Sequence, residues 1–169
     1  MQRLIYIAGI FILGILFVSC EKKDYPKGLA EYEHHYYIVY VPNNNSLVSV
    51  QRTQTTLLKL PLQFYSEFTR DYDAVAQFAV VTDTLKSPAQ RGVDFEIVDK
   101  NGTAIQPVDG LYSITFPQAK KATDTIYVKL LNNPAPGTRK LELRLKENKT
   151  SNFYVDIFST ACNRPIEIK

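Results

Sequence analysis

This 169-residue sequence predicts an all-β domain built as a two-sheet sandwich, on three observations. Its apolar residues recur with period two. In "RKLELRLK", Leu141, Leu143 and Leu145 share one face while Lys140, Glu142, Arg144 and Lys146 share the other, the pattern of a half-buried antiparallel strand. Between such runs lie "PNNNS", "KNG", "VDG" and "NPAPG", rich in residues that tolerate or impose turn geometry. Helical periodicity is not sustained in any segment, and a chain with roughly eight or nine short strands closes most readily as two packed sheets.

In chain order, residues 1–19 read as an export signal. Arg3 is the sole charge before an apolar run from Leu4 to Val18, and the small Ser19 ends it. A retained transmembrane anchor would want about 20 apolar residues, and this run is shorter and breaks directly into "EKKD". Cys20 follows at once. Phe17, Val18, Ser19 and Cys20 together resemble the lipobox of bacterial lipoproteins, with Phe17 standing where that box usually has Leu. The resemblance implies acylation of the Cys20 thiol and cleavage just before it, and several acyl chains hold a protein on a bilayer where one does not. A buried free cysteine fits poorly among Lys22, Lys23 and Asp24.

Residues 20–33 carry Pro26, Gly28 and many charges without an apolar period, and read as the lipidated N-terminus and a flexible tether. The sandwich is expected over 34–169, a length suited to one domain. Its first strand is "HHYYIVYV". "LLKLPLQF" follows with Leu58, Leu60, Leu62 and Phe64 inward, and its Pro61, lacking an N–H, is expected at a sheet edge or bulge. "AVAQFAVV" and "DFEIV" come next, then "YSITF" with Tyr112, Ile114 and Phe116 inward, and "TDTIYVKL" with Ile126, Val128 and Leu130 inward. After "RKLELRLK" come "FYVDIF" and a short terminal "IEI". With Cys20 acylated, Cys162 has no disulfide partner and is expected to be a small buried hydrophobe.

The stretch "GVDFEIVD…LYSITFPQAKKATDTIYVKLLNNPAPGTRKLELRL" resembles the second half of a Calx-β-like, immunoglobulin-like module, in a Gly-x-Asp-aromatic step, a strand ending in Phe-Pro and a leucine-rich final strand. With the lipobox and short tether, the whole is similar to small surface lipoproteins of Bacteroidota, many of them encoded beside glycan-uptake systems. That resemblance implies an immunoglobulin-like sandwich at the outer membrane, periplasmic or surface-exposed. Calcium-binding members of the wider family carry an acidic cluster after the strand, whereas this chain has "NNPAPGTRK", so no metal is expected: calcium demands several oxygen ligands and usually more than one carboxylate.

Catalytic groupings are not evident. His34 and His35 are adjacent on a strand and so face opposite ways. Asp94 and Glu96 would share a face, but two carboxylates on one strand do not flank a sugar in a cleft. No phosphate loop or Cys-x-x-Cys pair occurs, and no cofactor is expected. With 20 basic against 17 acidic side chains there is no basic footprint for nucleic acid. Tyrosine is the richer signal, because "YEHHYYIVY" gathers Tyr32, Tyr36, Tyr37 and Tyr40. Alternation separates Tyr36 and Tyr40 from Tyr37, and the expectation is that Tyr37 is the more buried while Tyr36 and Tyr40 contact a ligand. "DTL" and "DTI" are similar to the Asp-Thr-aliphatic sequence that Bacteroidota glycosylate on exported proteins, which implies Thr84 and Thr125 as acceptors.

The expected function is therefore that of a non-catalytic cell-envelope lipoprotein, held to the membrane by its N-terminal lipid and binding a polysaccharide or an outer-membrane protein partner. The alternative is a structural or adhesive subunit that assembles by edge-strand pairing, with the last strand as the expected edge. Cys20→Ala is expected to leave an uncut precursor and abolish incorporation of labelled fatty acid; labelling that persists in this variant would refute lipidation at Cys20.

Overall fold

A computed structural model describes residues 35–66, 71–118 and 121–169; the expected export signal, Cys20, the expected tether and His34 lie outside them. The described residues form eleven strands and no helix. These are β1 His35–Tyr40, β2 Val48–Val50, β3 Leu58–Ser66, β4 Ala74–Val81, β5 Phe95–Val98, β6 Leu111–Phe116, β7 Lys121–Leu130, β8 Arg139–Lys146, β9 Asn148–Lys149, β10 Tyr154–Ile157 and β11 Asn163–Ile168. They make an immunoglobulin-like two-sheet β-sandwich. The first sheet runs β5-β7-β3-β1-β10-β9 and the second β2-β11-β8-β4-β6. Pairing is antiparallel except where β1 meets β10 and β2 meets β11.

The expected inward sets are the core. Leu60, Leu62 and Phe64 of β3, Ile126, Val128 and Leu130 of β7, and Leu141, Leu143 and Leu145 of β8 are all buried. Aromatic rings join the layers: Phe64 of the first sheet stacks on Phe116 of the second at 4.2 Å, and Tyr36 stacks on Phe64 at 5.0 Å. Cys162 is free and buried. The turn signals "KNG" and "VDG" place Gly102 and Gly110 at φ +86° and +78°, a region open to glycine and strained for most side chains.

Three expectations need correction. Pro61 lies inside the first sheet, between β1 and β7, not at an edge or bulge. It is tolerated because its backbone faces the position just past the end of β1, where Val41 N–H donates to the Pro61 carbonyl at 2.9 Å. The last strand, β11, is likewise interior, flanked by β2 and β8. The short strands β2 and β9 went unforeseen because two or three residues cannot display a period.

An edge does stand open elsewhere. β5 pairs only with Tyr127–Leu130 of β7, so among the described strands none covers Lys121–Ile126 on that side. The Thr125 N–H at this edge is held by the neighbouring Asp124 carboxylate at 2.6 Å.

Leu143 is fully buried, so Leu143→Ala is expected to lower the unfolding free energy by about 2 to 5 kcal/mol in urea titration. A change under about 0.5 kcal/mol is what surface sites give and would show the phase of β8 to be wrong.

Candidate functional site

Strand parity decides which face of β1 meets solvent. Tyr36, Ile38 and Tyr40 point into the core, with Tyr36 1% and Tyr40 0% exposed. The expectation for the tyrosines is thus inverted: Tyr36 and Tyr40 cannot present their rings to a ligand, and Tyr37 is the outward one. The physical reason is specific to Tyr40. Its hydroxyl crosses the core to donate to the Leu143 carbonyl at 2.9 Å, and the Arg164 guanidinium lies 4.7 Å from its ring centre. Burial raises the Tyr40 phenol far above its ordinary range, with Arg164 acting in opposition.

Outward residues of β1, β3 and β10 build an aromatic column on the outer face of the first sheet. Register sets Tyr37 beside Tyr65 of β3 and His35 beside Tyr154 of β10. Tyr37 stacks on Tyr65 at 5.4 Å and 22°, and on Phe158 at 5.2 Å and 12°. His35 stacks on Tyr37 at 4.6 Å and lies 4.8 Å from Tyr154. The rings cover one another's faces across neighbouring strands, while Phe158 at one end is 39% exposed.

Polar groups frame the column. His35 Nε2 meets Asp156 Oδ2 at 3.2 Å, and Lys149 Nζ stands 5.9 Å from the Tyr154 ring centre. Burial, first, and then the Glu147 and Asp156 carboxylates push the Tyr154 phenol up to about 12. Burial and the neighbouring Tyr37 raise Tyr65 as well. The opposite outer face, on the second sheet, contrasts with this one: Lys140 pairs with Glu167 at 2.8 Å and Arg144 with Glu142 at 2.7 Å.

The remaining sequence candidates lie apart from the column. The Asp94 carboxylate is buried and structural, accepting from the Gln90 N–H and the Asn133 side chain, both at 2.7 Å. Glu96 is engaged by Arg91 at 2.9 Å. Asn133 belongs to the loop "NNPAPGTRK", whose carbonyls at Asn133, Ala135 and Gly137 converge on the Arg52 guanidinium. Thr84 is exposed in the loop after β4, and Thr125 is half-buried on the outer face of β7. Among the described residues no three His, Cys, Asp or Glu side chains gather as a metal site would require.

No protein-family profile matches the chain, and no curated protein matches it. Among solved structures it is similar to the apo-form Calx CBD1 domain, at 11% identity and TM-score 0.47 over 78% of this chain and 95% of that one. CBD12 from CALX1.2 matches at 13% identity and TM-score 0.45, over 77% and 44%. A CaDoc0917–CaCohA2 complex matches at 12% and 0.40, over 79% and 99%.

The raised Tyr154 phenol gives a signed expectation. Between pH of about 10 and 12 the folded chain keeps a proton that the unfolded chain has lost, so this group makes stability fall as pH rises through that window. The Tyr154 ring carbon resonance should titrate near pH 12; titration near 10 would show that neither burial nor the two carboxylates raise it.

Proposed function

We propose that this chain is a non-catalytic binding module of the cell envelope, anchored at the outer membrane through a lipid on Cys20, and that it holds polysaccharide against the outer face of its first sheet. The observation that carries the reading is the column Tyr65, Tyr37 and Phe158 with His35 and Tyr154 beside it. A ring stack on an outer sheet face leaves half-buried apolar surface in water, which soluble domains keep small unless something covers it. Sugars match it chemically: their C–H faces pack on an exposed ring such as Phe158, and their hydroxyls bond phenols, imidazole and carboxylate. The partners already bonded among themselves, His35 with Asp156, hold these groups in place beforehand, which lowers the ordering cost of binding.

The alternative, assembly by strand addition, has its opening at the Lys121–Ile126 edge of β7 rather than at the last strand. The Asp124 carboxylate already occupies the Thr125 donor there, which favours the face over the edge.

Phe158→Ala removes an exposed ring and is expected to leave the melting temperature nearly unchanged while weakening retention in polysaccharide affinity gels by roughly tenfold, the size of one aromatic contact of about 1.4 kcal/mol. Tyr37→Ala should abolish retention by collapsing the column. Full retention in both variants would refute the site. Steady release of reducing ends by the purified protein would refute the non-catalytic reading.

A further inference from the structure

The outer face of the first sheet is also electrostatically one-sided. Lys59 of β3, Lys121 and Lys129 of β7 and Lys149 of β9 are exposed there, and among the described residues none of the four is in an ion pair. Of the acids at this face, Asp156 is engaged by His35 and Glu96 by Arg91, while Glu147 lies against the Tyr154 hydroxyl. On the opposite outer face Lys140 and Arg144 are paired with carboxylates, which leaves Lys146 as the cation of β8 outside an ion pair there. Four ammonium groups outside any ion pair thus stand against the one Glu147 carboxylate, and positive charge is in excess on the face that carries the rings.

Two of the lysines bracket the column. Register places Lys121 directly beside Tyr65, Tyr65 beside Tyr37, and Tyr37 beside Asp156. One step along, His35 lies beside Tyr154 and Tyr154 beside Lys149. The line from β7 to β9 crosses β3, β1 and β10, four spacings of about 4.8 Å, so a track of about 19 Å runs across the sheet with an ammonium group at each end.

Resting on the polysaccharide reading, we infer that the ligand class is an acidic polysaccharide, bearing carboxylate or sulfate groups, with Lys121 and Lys149 meeting its anions and the column meeting its rings. A neutral polymer would leave both ammonium groups without a counter-charge. A nucleic acid strand would supply the charge, but this face lacks the dense arginine and lysine stripe that tracks a phosphate backbone.

The test uses the full-length protein in detergent and affinity gels cast with polygalacturonate, with a neutral glucan, or with single-stranded DNA. Retention is expected on polygalacturonate above the other two, and it should fall as salt rises from 50 to about 500 mM, because exposed charge pairs are screened over about one Debye length. Lys121→Gln with Lys149→Gln should weaken retention by roughly two- to thirtyfold, the sum of two exposed pairs, while Lys140→Gln with Lys146→Gln on the opposite face leaves it unchanged. Equal, salt-insensitive retention on glucan and polygalacturonate would overturn this inference and leave the sugar site standing. Stronger retention on DNA would overturn it in favour of a generic polyanion surface. Failure of every polysaccharide gel to retain the protein would overturn the polysaccharide reading itself, and this inference with it.

Discussion

The outward chemistry of this molecule depends on one buried hydroxyl. Tyr40 belongs to the first sheet and donates to the Leu143 carbonyl of the second, pinning the layers across the core. Leaving that phenol unpaired in the interior would cost about 1 to 3 kcal/mol, so the strand is held in the parity that satisfies it. Since β1 alternates, fixing Tyr40 inward fixes Ile38 and Tyr36 inward and sends Tyr37 and His35 outward. The column on the surface is thus the other side of a choice made in the core.

Arg164 extends the same knot. Its guanidinium lies on the Tyr40 ring and bonds Asn44, Ser46 and the Pro42 carbonyl, tying the loop after β1 to β11. Burial lowers its pKa below the ordinary arginine range, and the carbonyl, amide and hydroxyl oxygens around it offset the lost water. At another loop, Arg52 and Asp94 do similar work from opposite charges: the guanidinium gathers three carbonyls while the carboxylate holds Asn133. Two cations and one anion, all bound chiefly to neutral groups, shape the loops.

How much of this was legible in sequence depends on whether a strand carries contrast between its faces. "RKLELRLK" pairs leucine with charge, and its phase could be read directly. "HYYIVY" is apolar on both sides, so its period was visible and its phase was not; only the Leu143 carbonyl, 103 residues away, decides it. The final strand was seen as "IEI" alone because its inward set is Arg164, Ile166 and Ile168, and a charge in a core position breaks the apolar pattern. The column was missed for the same reason as the parity. Its members come from β1, β3, β10 and the residue just after β10, brought together by register rather than by spacing.

The bare half of β7 has a consequence for life in a crowd. Under the lipid anchoring proposed above, copies of this chain would meet one another far more often than in solution, and in much the same orientation. An uncapped strand edge under those conditions would be a seed, recruiting neighbours rung by rung into a continuous ribbon. With the Asp124 carboxylate on the Thr125 N–H and a lysine at the strand's first residue, a would-be neighbour must first displace a charge-assisted hydrogen bond and then approach a like charge. An edge guarded in this way would suit the dense display that the proposed anchoring implies, without any extra described strand to cover it.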